Sequence, residues 1–116
     1  MATVKQQEHQ WLQRLQSFID SILQRTIKDP VVRARYIDRT AMPIWAQAFT
    51  HETVSPLNYE DLEYRGDGVL KYAFLKYLMR RFPYLHKGEY TELNVTYMSK
   101  IWQAQLSRNL GFTEYI

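Results

Sequence analysis

The stretch NYEDLEYRGDGVLKYAFLKYL, Asn58 to Leu78, decides the fold. It reads as one long helix: Asn58 stands where an N-cap belongs, and Pro83 in the following RRFP cannot continue the run. At about 100° per residue, Leu62, Val69 and Ala73 gather on one arc, with Leu70 and Phe74 flanking it toward the acids. Glu60 and Asp67 fall within about 20° of each other on roughly the opposite side, with Glu63 about 60° away. Asp61 points elsewhere. A helix dipole favours negative charge only around the first turn, which leaves Asp67 unexplained.

The chain on either side of this helix is also helical in pattern. Over residues 5–27, Trp11, Leu12, Leu15, Phe18, Ile19, Ile22 and Leu23 recur at helical spacing, as a helix docked on a domain or a partner-binding arm would have them. Pro30 in KDP ends that run and suits the start of a short helix through Val31, Val32 and Tyr36. A further helix is expected through Ile44, Trp45, Ala48 and Phe49. From Glu89 onward the pattern is helical again, as two helices joined near Ser99, with Asn109–Gly111 supplying a stop. No segment alternates as a strand would, and the expected fold class is all-α. Residues 1–40 read as an N-terminal helical extension and 41–116 as the start of a domain.

Composition narrows the chemistry. The 116 residues are 46% hydrophobic and 15% aromatic, enough for a core, and the formal charge is +3, mildly favourable to a polyanionic partner. Cysteine is absent, so disulfides, zinc–thiolate sites and cysteine nucleophiles are excluded; this fits an intracellular protein, cytoplasmic or nuclear. No apolar run reaches the roughly 18 residues of a membrane span, and MATVKQQEHQ has no apolar signal core.

Three carboxylates on one stripe, with Glu63 and Asp67 at i,i+4, repel one another by roughly a few tenths of a kcal/mol in an isolated helix. A hard divalent cation would reverse that penalty, because it takes oxygen ligands and keeps several waters. Gly66 between them costs about 1 kcal/mol relative to Ala in a helix and calls for a reason, such as close approach of another backbone or a ligand. The competing reading is a solvated acidic face with Lys71 and Arg65 as ion-pair partners. The residues alone leave both open.

NYEDLEYRGDGVL resembles the signature of the ribonuclease III family, usually close to N-E-R-L-E-F-L-G-D-x-x-L. AFTHET, Ala48 to Thr53, is similar to the family's A-F/L-T-H-x-S. YLMRRFPYLHKGEYTELNVTYMS is similar to its Y-L-x-x-x-F-P-x-x-x-x-G-x-L-T-x-L-R-x-x-L-V-S, and LSRNLGF to its closing L-A-x-x-L-G-L. The similar region runs from Ile44 to Ile116. The resemblance implies a helical endonuclease domain that forms a homodimer, processes RNA, and cleaves double-stranded RNA with Mg²⁺, for which Mn²⁺ can substitute. Carried over by position, Glu63 and Asp67 are the catalytic, metal-binding acids, Glu60 lies beside the dimer cleft, and Tyr64 takes the place of the aromatic at the dimer interface. His51 matches the histidine of T-H and is read as structural. Arg80, Arg81 and Lys87 are candidate phosphate contacts, with solvated helix-end charges as the plainer reading.

The departures are specific. Arg65 replaces a leucine and must snorkel or pair if that position faces the core. Asn94 replaces an arginine, and Lys100 stands where an asparagine is usual. The family's second acid pair, D-x-x-E, does not occur in the chain, so the domain is expected to be incomplete at its C-terminus and these 116 residues alone to cut RNA little or not at all. The alternative role is a non-catalytic scaffold for dimerisation or RNA–protein assembly.

Overall fold

The structure is a computed structural model and describes residues 3–116. Its elements are helices α1 (Val4–Leu23), α2 (Pro30–Ala34), α3 (Met42–Ala48), α4 (Glu60–Arg81), α5 (Lys87–Tyr97) and α6 (Lys100–Leu110), then a 3₁₀ turn, Phe112–Tyr115. No strand occurs among the described residues, and the fold is all-α. Two compact units divide the chain: one holds residues up to Tyr59 together with Tyr115 and Ile116, the other Glu60 to Glu114.

In the first unit, α1 starts where Thr3 and Gln6 satisfy each other's backbone amides: Thr3 Oγ1 accepts from Gln6 N at 3.1 Å and Gln6 Oε1 accepts from Thr3 N at 2.8 Å. This capping box fixes the first turn. Its apolar stripe is consumed within the unit, not held out as an arm: Leu15 and Ile19 are buried, as is Phe49 just past α3. Phe18 meets Phe49 edge to face at 6.4 Å and stacks on Tyr115 at 4.1 Å. The Trp11 indole donates to Tyr115 O at 2.9 Å.

The helical pattern expected through residue 27 ends at Leu23, and the chain turns back to α2. Arg33 fastens that turn. Its Nε donates to Asp20 Oδ1 at 2.6 Å and its Nη1 to Ile27 O at 3.0 Å. Asp29 caps α2 by accepting from Val31 N at 2.9 Å, with Pro30 in the first helical position.

In the second unit, α4 carries Glu60, Asp61 and Glu63 in its first turn and Arg80 and Arg81 in its last, the arrangement that the helix dipole favours at both ends. It begins at Glu60, slightly later than an Asn58 N-cap implies. Asn58 instead steadies the preceding turn, its amide donating to Ser55 O at 2.9 Å and Pro56 O at 3.3 Å. Ser99 separates α5 from α6 and caps the latter, accepting from Trp102 N at 3.4 Å. Gly111 ends α6 with φ 84°, a left-handed position that suits glycine.

The apolar arc expected on α4 is buried only in part. Leu62 and Phe74 are half-buried, whereas Val69 and Leu70 are 69% and 39% exposed and Ala73 is exposed too. The cause is facing: α5 runs beside this stretch of α4, but it borders Gly68, Lys71, Tyr72, Leu75 and Met79, leaving Val69 and Leu70 turned away. Leu78 is the buried apolar side chain among the described residues of this unit. Asn94 is buried as well, its amide donating to Lys71 O at 3.4 Å. The asparagine that departs from the usual arginine thus ties α5 to α4.

Candidate active site

Glu63 and Asp67 occupy adjacent turns on one side of α4, about 5–6 Å apart between Cβ atoms at this spacing. Both are exposed, and neither makes a side-chain hydrogen bond or ion pair among the described residues. They line a cleft of about 630 Å³ within the second unit, together with Tyr64, Gly68, Lys71, Met98, Ser99, Lys100 and Gln103. One wall is the middle of α4; the other is the start of α6 and the residues just before it.

The ion pairs expected of a solvated acidic face are not made. Lys71 lies four residues after Asp67, an orientation that favours pairing, yet the salt bridges among the described residues are Arg33–Asp20 and the longer His86–Glu89 contact. Arg65 is exposed, so it needs neither to snorkel nor to find a buried partner. Gly66 has nothing within 4 Å of where a Cβ would stand. No neighbouring backbone requires that glycine.

The other sequence-derived residues are distributed differently. Glu60 is exposed one turn before Glu63. Tyr64 is 87% exposed at the edge of the cleft. Arg80, Arg81 and Lys87 are exposed, but none lines the acid cleft; Lys87 borders a separate groove between α4 and α5, with Tyr72, Leu75, Met79 and Tyr90. His51, in the first unit, is held in its own turn, its Nδ1 accepting from Thr53 N at 3.2 Å and lying 2.8 Å from Thr53 Oγ1.

Sequence reasoning missed the cationic side of the cleft. Lys71 was legible as a neighbour of the acids, but nothing in spacing alone brings Lys100, 33 residues beyond Asp67, to the same cavity.

Two free carboxylates a turn apart suit a hard divalent cation. Mg²⁺ characteristically takes one or two protein carboxylates and completes its shell with waters and substrate phosphate. No group of three or more His, Cys, Asp or Glu suited to a metal occurs among the described residues. At about 630 Å³ the cleft is larger than a bare ion requires.

The second unit is thus all-helical and opens a cleft lined by two carboxylates and two lysines. Comparison with known proteins then specifies the kind: residues 60–116 match the Ribonuclease III domain, and through that stretch the chain belongs to the ribonuclease III family. A Frog virus 3 (isolate Goorha) protein provisionally named ribonuclease 3 is 34% identical over 110 residues, covering 88% of this chain and 28% of its own length. Ribonuclease 3 of Actinobacillus pleuropneumoniae serotype 5b (strain L20) is 36% identical over 70 residues, covering 60% of this chain and 31% of its own length. Ribonuclease 3 of Caenorhabditis elegans is 38% identical over 77 residues, covering 61% and 7%. The chain thus spans less than a third of these relatives. No solved structure matches it. Among the described residues no helix is long and apolar enough to cross a membrane.

Proposed function

We propose that this chain contributes the first acid pair of a metal-dependent endoribonuclease site that cleaves double-stranded RNA, with Glu63 and Asp67 as ligands of Mg²⁺ or Mn²⁺. The observation that carries this reading is the pair of unpartnered carboxylates on adjacent turns of α4, opening on a cleft with room for a hydrated ion and a phosphodiester.

A divalent ion, when bound, activates water as a nucleophile and offsets charge developing on phosphoryl oxygens. The chain's own residues do the rest. Glu63 and Asp67 fix the ion's position from one rigid helix, and α4 holds their spacing without rearrangement. Duplex RNA is recognised by shape, through phosphate and 2′-hydroxyl contacts; Arg80, Arg81 and Lys87 lie outside the cleft, where they can meet phosphates along the duplex. Tyr64, projecting freely, with Glu60 one turn away, is suited to a homodimer interface.

Two carboxylates hold Mg²⁺ weakly, so cleavage by these 116 residues alone is expected to be slight. The test is Mg²⁺-dependent cleavage of a long duplex RNA by the intact protein and by its Glu63→Ala and Asp67→Ala variants. Cutting by the intact protein that both substitutions abolish supports the reading. Cutting that survives them removes Glu63 and Asp67 from the chemistry. An intact protein that binds RNA or forms dimers without cutting would mark the domain as a scaffold.

A further inference from the structure

Beyond the acid pair, the cleft holds two ammonium groups that neither the family match nor the carboxylates assign. We propose that Lys71 and Lys100 are the phosphate-holding residues of this cleft, gripping the RNA backbone beside the metal-binding acids. The inference rests on the reading of Glu63 and Asp67 given above and adds the side chains that position the substrate.

The first argument is placement. Lys71 stands one turn beyond Asp67 on α4, and Lys100 is the first residue of α6. Both line the same cavity as Glu63 and Asp67, while Arg80, Arg81 and Lys87 do not. The second argument is that the opposite charges have not cancelled. No Lys71 or Lys100 nitrogen lies within ion-pair distance of a carboxylate among the described residues. A cleft with free anions and free cations is matched to a ligand that carries both signs, and a phosphodiester accompanied by a divalent cation is such a ligand.

The third argument is support. Asn94 donates to the Lys71 carbonyl, and Gln103 on the opposite wall donates to Met98 O at 2.8 Å, so the backbone under each lysine is tied to its surroundings. Lys100 also adds its charge to the positive end of the α6 dipole. Its place where an asparagine is usual in the family then reads as a gain of charge directed at the substrate.

Each lysine that neutralises a phosphate contributes about one to the slope of log affinity against log salt. The test is binding of a short RNA duplex to the full chain in Ca²⁺, followed by fluorescence anisotropy across a salt series. Lys71→Gln and Lys100→Gln are each expected to weaken binding several-fold and to lower the slope by about one, and Lys100→Arg to restore it. Far-UV circular dichroism verifies that the variants fold. Slopes that stay at the wild-type value in both glutamine variants would overturn the assignment, and so would an affinity loss of the same factor at every salt concentration. Those outcomes leave the acid-pair reading standing, because that reading is tested separately by the Ca²⁺ dependence of binding in Glu63→Gln and Asp67→Asn. A wild-type chain that binds no duplex at all would overturn the lysine assignment as well, and would leave the acid pair to be tested by metal binding alone.

Discussion

Replacing Gly66 with alanine tests whether the space beside the acid pair is open. Gly66 lies in the interior of α4, among the glycines without positive φ, and a Cβ added there meets nothing within 4 Å. No packing is gained and no clash arises, so the effect reduces to backbone entropy. Glycine is about 0.8–1.0 kcal/mol less favourable than alanine inside a helix, and compatible Gly→Ala changes stabilise proteins by about 0.4–1 kcal/mol. Gly66→Ala is therefore expected to stabilise the second unit by about 0.5–1 kcal/mol. For a small domain that raises Tm by roughly 2–8 °C, read by thermal unfolding in far-UV circular dichroism. Gly111→Ala is the control of opposite sign. Its φ of 84° is a conformation that costs an L-residue about 1–2 kcal/mol, and its Tm should fall. Destabilisation by Gly66→Ala would show that something occupies the space beside this position, contrary to the open surroundings described for it.

Leu15, fully buried in the first unit, should lose about 2–5 kcal/mol on truncation to alanine, seen as a lower denaturant midpoint. Arg33→Gln removes the contacts to Asp20 and Ile27 and should cost about 1 kcal/mol, since the pair is partly exposed; an unchanged midpoint would show that the α1–α2 turn is held by packing alone. Glu63→Gln removes both like-charge repulsion with Asp67 and a favourable first-turn dipole interaction of similar size, so without divalent cation Tm should change little. Added Mg²⁺ should stabilise the wild-type chain through binding linkage and stabilise this variant less. Equal responses to Mg²⁺ would argue against Glu63 as a ligand.

Local chemistry made much of this fold legible. Pro30 and Pro83 mark where helices cannot continue, Ser99 caps α6, and Gly111 takes the left-handed stop that its position suggests. The acid stripe was legible too, because Glu63 and Asp67 belong to a single helix whose periodicity fixes their relation. Features that depend on tertiary placement were not. The arc of Val69 and Leu70 looks like a core face, but α5 borders α4 along Gly68, Tyr72, Leu75 and Met79 instead. Gly66 suggests close approach, and its surroundings are open. Lys100 joins the acids only because α5 and the turn at Ser99 return the chain to α4, and helical spacing carries no record of that return.

The central claim is that Glu63 and Asp67 hold a divalent cation. Titration of the 116-residue chain with Mn²⁺, followed by electron paramagnetic resonance of the free ion, tests it without requiring cleavage. The account predicts weak, saturable binding that is displaced by Mg²⁺ and lost in the Glu63→Gln/Asp67→Asn double variant. Equal binding by the double variant, or no saturable binding by the wild-type chain, would contradict it.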